Sequence, residues 1–232
     1  IDLQKYRDQV KKYPNKLKVI GGHAPLVTGV EEIDIVPTIT FLRDPVARLK
    51  SFFIHVSEGK SKELNPMLAR EMLNNPFAFC LDNLQARVLL GKANYELPDL
   101  PADEVATMAY NVLQKKLVTF GITECFEDSL LSMKHCLGWD KQPVYGRFNE
   151  RGNTSDLVFS ADDEDRIVEA NRIDMRLYAM ARSLFEARVL ADSAWIESQR
   201  ETFHVYQKRY KANFFFLREL RRIRALIAGH GG

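Results

Sequence analysis

Thr38-Ile39-Thr40-Phe41-Leu42-Arg43-Asp44-Pro45-Val46-Ala47-Arg48-Leu49-Lys50-Ser51-Phe52-Phe53 is the stretch from which the rest of the chain is read. Its first half predicts a buried strand, because β-branched and aromatic residues run without a charge up to Arg43. Its second half predicts a helix to about Ser57: Asp44 is a good N-cap and Pro45 suits the first helical position. A strand that feeds straight into a helix presents unpaired N–H groups and the positive end of the helix dipole, and Arg43 adds a forked cation beside them. That combination favours a phosphate or a sulfate. Ser51 lies seven residues beyond Asp44, about two turns at the standard pitch, so Asp44, Arg48 and Ser51 fall roughly on one face, and the hydroxyl can donate to an anion held by Arg43. The plainer reading is that Asp44-Pro45 only caps a helix while Arg43 and Arg48 are solvated, and a triplet this short does not decide between the two.

Upstream, residues 2–13 read as a surface helix ended by Pro14, and Leu17 to Ile20 as a short strand. The strand runs into Gly21-Gly22-His23-Ala24-Pro25, whose glycines allow a sharp turn or a close approach to a ligand. In open α/β sheets ligands bind outside the carboxyl ends of the strands, where both His23 and Arg43 are expected. A histidine's ordinary pKa suits proton transfer, although a lone one in a glycine turn is more often a surface residue. Downstream, helices are expected near Pro66 to Leu73, Phe77 to Leu90, Asp103 to Lys116 and Phe126 to Leu137, with a strand from Leu117 to Ile122. Ser160 with Asp163 or Glu164 forms a capping box that opens a long helix, and Ile167, Ala170, Ile173, Leu177, Met180 and Leu184 make its buried stripe. From Trp195 on, Phe203, Tyr206, Tyr210, Phe214, Leu217 and Leu220 repeat the spacing, a stripe to be covered by the domain or by a second copy of the chain. Arg200 to Arg224 holds eight Lys or Arg against two acidic residues, a basic helix that could hold an anionic glycan or simply be a solvated face.

Phe41-Leu42-Arg43-Asp44-Pro45-Val46-Ala47-Arg48-Leu49-Lys50-Ser51 resembles the segment by which sulfotransferases bind the 3′-phosphate of the donor 3′-phosphoadenosine 5′-phosphosulfate, above all in the branch of the heparan sulfate 2-O- and 6-O-sulfotransferases. The resemblance extends over roughly residues 16–190 and implies roles residue by residue. Arg43 and Ser51 would contact the 3′-phosphate, with Arg48 in support. His23, in a similar glycine-histidine setting, would be the base that deprotonates the acceptor hydroxyl. Asn83, Gln85 and Arg87 resemble the helix lying along the donor and acceptor site, or are a polar helix face. Arg151, Asn153 and Thr154 resemble a loop closing over the nucleotide, or are a solvated connection. Glu124, at the end of the second strand, would orient neighbouring groups.

Composition sets the bounds: 232 residues, 46% hydrophobic and 28% charged, suit a soluble globular domain with a substantial core. A net charge of +2 gives no bulk affinity for polyanions, so no nucleic-acid partner is expected. No uncharged apolar run approaches the ~20 residues of a membrane span, and the first residues are too polar for a secretory signal. Cys80, Cys125 and Cys136 lack metal-ligand spacing and read as buried thiols, so no metal is expected. Cysteine usage favours the cytoplasm, whereas an upstream anchor, lost before Ile1, would place the chain in the Golgi lumen.

The family pattern also includes a glycine-rich loop with a lysine, cradling the donor's 5′-phosphosulfate. Lys18-Val19-Ile20-Gly21-Gly22 has these residues in the wrong order. The loop is therefore expected upstream of Ile1, or else the enzyme is dead; either way the first core strand should be missing. The expectation as a whole is an α/β domain over 1–190, a nucleotide-kinase-like parallel sheet flanked by helices, and a helical extension over 191–232. Its function would be sulfuryl transfer to a hydroxyl, with a carbohydrate as the expected acceptor. The alternatives are a non-catalytic nucleotide-binding protein on the same fold and a helical scaffold, and self-association would run through the C-terminal helix.

Overall fold

The structure, a computed structural model, describes residues 37–57, 66–76, 81–91, 97–146 and 158–228. These residues are mostly helical around a small parallel sheet of two strands, β1 (Ile39–Leu42) and β2 (Thr119–Ile122). Parallel strands need a crossover longer than a hairpin. Here it contains α1 (Pro45–Ser57), α2 (Pro66–Asn74), α3 (Leu84–Leu90) and α4 (Ala102–Lys116). After β2 come a 3-10 turn (Thr123–Cys125), α5 (Phe126–Leu137), α6 (Ala161–Ala170), α7 (Arg172–Ala191) and α8 (Ser193–Ala228). The strand, joint and helix expected from Thr38 to Ser57 are present, although β1 is only half-buried before Leu42 rather than buried throughout, and the strand ending at Ile122 is present as well. β2 is buried at every position.

Contacts divide the chain into two units, residues 1–120 with 155–182, and residues 121–154 with 183–232. The divisions fall inside β2 and inside α7. The first unit has its core where α1, α2 and α6 meet: Leu49, Phe53, Leu73, Leu81 and Ile167, with Val46, Phe52, Met72 and Phe159 packed against them. Leu49, Phe53 and Val56 lie at helical spacing on α1 and are buried, each such side chain contributing about 1.5–3 kcal/mol of burial. Polar ties surround that core. Ser160 and Asp163 close the anticipated capping box on α6, Arg70 of α2 pairs with Asp163 at 2.9 Å, and Lys50 of α1 pairs with Glu164.

In the second unit Leu131, Ile196 and Phe203 form the core, with Leu130, Tyr145, Val189 and Trp195 around them. Ser129 of α5 ties down the end of β2, accepting from Ile122 N (2.9 Å) and donating toward the carbonyls of Ile122 (3.0 Å) and Cys125 (2.8 Å).

Several local expectations need correction. The helix expected from Phe77 begins only at Leu84, because Asn83 is left-handed (φ 46°) and ends the preceding turn. The single long helix after Ser160 is broken at Asn171, which caps α6 with φ −120° and ψ 27°. On α8 the buried line runs Ile196, Phe203, Gln207, while Tyr206 is exposed. Leu217 and Leu220 belong to the part of α8 whose side chains lie outside the described residues. Cys136 is exposed and Cys125 half-buried, so neither is a buried thiol; Cys80 lies outside the described residues. Among the described residues no helix is long and apolar enough to cross a membrane.

Candidate anion-binding site at the strand–helix joint

At the joint between β1 and α1 the sequence folds as its caps dictate. Asp44 Oδ1 accepts the Ala47 N–H at 2.7 Å, and the Asp44 carbonyl accepts the Arg48 N–H at 2.8 Å. One amide of the first turn is thereby taken by a carboxylate. Arg43's own peptide is bracketed by Gln85 of α3: the Arg43 N–H donates to Gln85 Oε1 (2.9 Å), and Gln85 Nε2 donates to the Arg43 carbonyl (2.9 Å). The backbone donors of Arg43 and Ala47 are thus occupied. The Arg43 guanidinium, half-exposed, makes no ion pair with any described carboxylate.

Behind the joint lies a dense polar network. Arg48 Nη2 donates to the Leu81 carbonyl (3.0 Å) and to Asn171 Oδ1 (3.3 Å). Asn171 Oδ1 also accepts from the Asn83 N–H (3.0 Å), and its Nδ2 donates to the Ile167 carbonyl (2.9 Å). Asn83 Oδ1 accepts in return from the N–H groups of Ile173 (3.0 Å) and Asp174 (3.2 Å). Asp174 then caps α3, its two oxygens accepting from Gln85 N (3.0 Å) and Ala86 N (2.8 Å). Arg87 stays on its own turn, bonding the carbonyl (2.9 Å) and the carboxylate of Asp82.

Asn171 and Asp174 are both fully buried, and a polar group in that setting is costly unless bonded on every side. Burial pushes the Asp174 carboxyl above its ordinary range, against the pull of the Ala86 and Gln85 amides and of Arg48. Burial lowers the pKa of Arg48, with Asp174 opposing and Arg43 adding to the effect. Arg48 and Asp174 are countercharges across this network, and Arg48 Nε is buried without a hydrogen-bond partner among the described residues.

The structure therefore gathers Arg43, Arg48, Asn83 and Gln85 around one joint and gives them different work. Arg43 has a guanidinium without an ion pair to any described carboxylate, whereas Arg48, Asn83 and Gln85 are spent on holding the joint together. Arg87 pairs with Asp82, and Ser51 is exposed on α1. The shared face expected for Arg48 and Ser51 is split by burial: Arg48 turns inward to Asn171. His23, Arg151, Asn153 and Thr154 lie outside the described residues. Glu124 is exposed in the turn after β2. Arg200, the start of the basic reach of α8, is already paired with Asp128 at 3.0 Å and Glu197 at 2.8 Å. No group of three or more His, Cys, Asp or Glu placed to hold a metal occurs among the described residues.

Sequence reasoning missed Asn171 and Asp174 as parts of this joint. A signal existed: Asp174 lies seven residues after Ile167 and three before Leu177, on the apolar stripe itself, where an acid needs partners. Its partners, 88 and 89 residues away, gave none. The chain matches no family model and no curated protein.

Proposed function

Proceeding from a cation left available where a strand becomes a helix, we propose that the chain is a sulfotransferase that moves a sulfuryl group from 3′-phosphoadenosine 5′-phosphosulfate to a hydroxyl, that of a carbohydrate by its resemblance to the 2-O- and 6-O-sulfotransferases. The fold in this reading is the nucleotide-kinase type of α/β domain. The observation that carries it is Arg43: its peptide is clamped by Gln85 on both sides while its guanidinium is unpaired with described carboxylates. A backbone fixed in this way preorganises its side chain, and an arginine fork matches phosphate oxygens.

In this mechanism Arg43 grips the 3′-phosphate and Ser51, exposed on α1, adds a hydroxyl donor. Arg48 does not touch the anion; it anchors α1 to Asn171 and contributes positive potential to the joint. Asn83 and Gln85 act on the protein's own backbone. His23 takes the acceptor's proton while the new S–O bond forms and the bond between donor phosphate and sulfate breaks. Arg151, Asn153 and Thr154 close over the nucleotide. The donor supplies an activated sulfuryl group, and the protein's part is placement and charge neutralisation.

Titration calorimetry of the full chain with 3′-phosphoadenosine 5′-phosphate tests the reading. Arg43→Ala is expected to weaken binding about tenfold or more, the loss of a charge-assisted hydrogen-bonded pair. Wild-type protein without affinity for this nucleotide, or affinity undiminished by Arg43→Ala, would remove sulfuryl transfer from consideration.

A further inference from the structure

We infer that Asp174, acting through Gln85, fixes the position of Arg43, and is thus a positioning residue for the anion site. The inference rests on the reading of Arg43 as an anion ligand, but its geometry is independent of which anion is bound.

α3 is seven residues long and too short to be stable by itself. The residue in front of it, Asn83, has the right chemistry for an N-cap yet makes no side-chain bond to the helix. Its Oδ1 faces the other way and accepts from Ile173 and Asp174 at the start of α7. The cap comes instead from the buried carboxylate of Asp174, which accepts from the two amides of Gln85 and Ala86. A neutral cap at position 83 would avoid the cost of burying a carboxylate. What the reciprocal exchange adds is a lock between α3 and α7, with Asn83 and Asp174 each satisfying the other's helix start. Gln85 sits in that lock by its backbone and brackets Arg43 by its side chain. Arg48 supplies the second fastening, from α1 to Asn171. Arg43 therefore stands between two ties, one ending at Asp174 in α7 and the other at Asn171, the cap between α6 and α7.

Amide hydrogen exchange on the isotope-labelled full chain reads this directly, with Arg43 compared against Leu49 in the middle of α1. Asp174→Asn and Gln85→Met are each expected to accelerate exchange at Arg43 at least about tenfold more than at Leu49, since local opening is reported separately from global unfolding. Asp163→Asn is the control. It removes a buried helix cap in the same unit without a link to Arg43, and should move both amides alike. Should Asp174→Asn fail to fold, Asp174→Glu, which keeps the charge and displaces it by one methylene, is read in the same way. Equal acceleration at Arg43 and Leu49 in the Asp174 variant overturns the inference. In the second arm, affinity for 3′-phosphoadenosine 5′-phosphate should fall about tenfold in Asp174→Asn and stay unchanged in Asp163→Asn; retained affinity in Asp174→Asn also overturns it. Absence of nucleotide binding by wild-type protein counts against the proposed function alone, and the exchange arm then decides on positioning.

Discussion

Gln85 and Gln207 make the same pair of bonds in different units. Gln85 brackets the Arg43 peptide, and Gln207 brackets that of Tyr145, accepting from its N–H at 3.0 Å and donating to its carbonyl at 2.6 Å. The difference lies in what holds each glutamine. Gln207 is in the interior of α8, a helix of 36 residues whose own ladder fixes it. Gln85 is in the first turn of a helix of seven residues, where no ladder reaches, and a buried carboxylate from a distant helix takes its place. The surrounding charges follow the same division. Around Arg43 they are shared across a buried network, as with Arg48 and Asp174; along α8 they are simple pairs, exposed as Glu127 with His204 at 3.0 Å or half-buried as Asp128 with Arg200. Exposed pairs contribute little, while a buried group stripped of its partner is strongly destabilising. Dependence on remote partners is therefore concentrated at the joint.

The largest test of that contrast is Asp174→Ala, which leaves two amides unsatisfied and Arg48 without its countercharge. A loss of about 3–5 kcal/mol in urea unfolding is expected. A loss below about 1 kcal/mol would show that water replaces the carboxylate easily and that the joint is not distinct. Next come the glutamines themselves. Gln207→Met and Gln85→Met should each cost about 1–3 kcal/mol in the same measurement, but only the second should weaken nucleotide binding; equal effects on binding would erase the distinction between the units.

Asn83→Gly comes third. Glycine relieves the left-handed backbone but forfeits the acceptor used by Ile173 and Asp174, for a net loss of about 1–2 kcal/mol. The smallest effect is expected at Glu127→Gln, less than about 1 kcal/mol near neutral pH. Its pH dependence has a definite sign. The hydrogen bond from His204 holds Glu127 below its ordinary value of 4.5, so its contribution is complete above that value and is lost as pH falls through the depressed one. The gap between wild type and variant in chemical unfolding should therefore close as pH falls below 4.5; a gap that widens there would contradict the pairing.

What could be read from the sequence was local. Asp44-Pro45 at the start of α1, Ser160 with Asp163 at the start of α6, and the spacing of Ile167, Ala170 and Leu177 all act within a turn or two, and each is found as expected. Arg43 was visible for the same reason. Asn83 was misread as helical because what overrides its helix is a pair of amides 90 and 91 residues away. Asn171 lies inside a continuous apolar period, and its bond to Arg48, 123 positions away, appears only once the helices are packed. Ser51 and Arg48 share a helix face by arithmetic, yet a long arginine reaches inward where a short serine cannot.

The tie from Arg48 to Asn171 spans 123 positions, and a ribosome makes the chain in order. At ordinary rates of translation the arginine waits on the order of ten seconds for its acceptor to be synthesised. During that interval β1 and α1 can form, but the far end of the Arg48 side chain has no Asn171 to reach. A nascent chain released before α7 is made would therefore carry Arg43 on a joint still lacking both fastenings, which only finishing the polypeptide supplies.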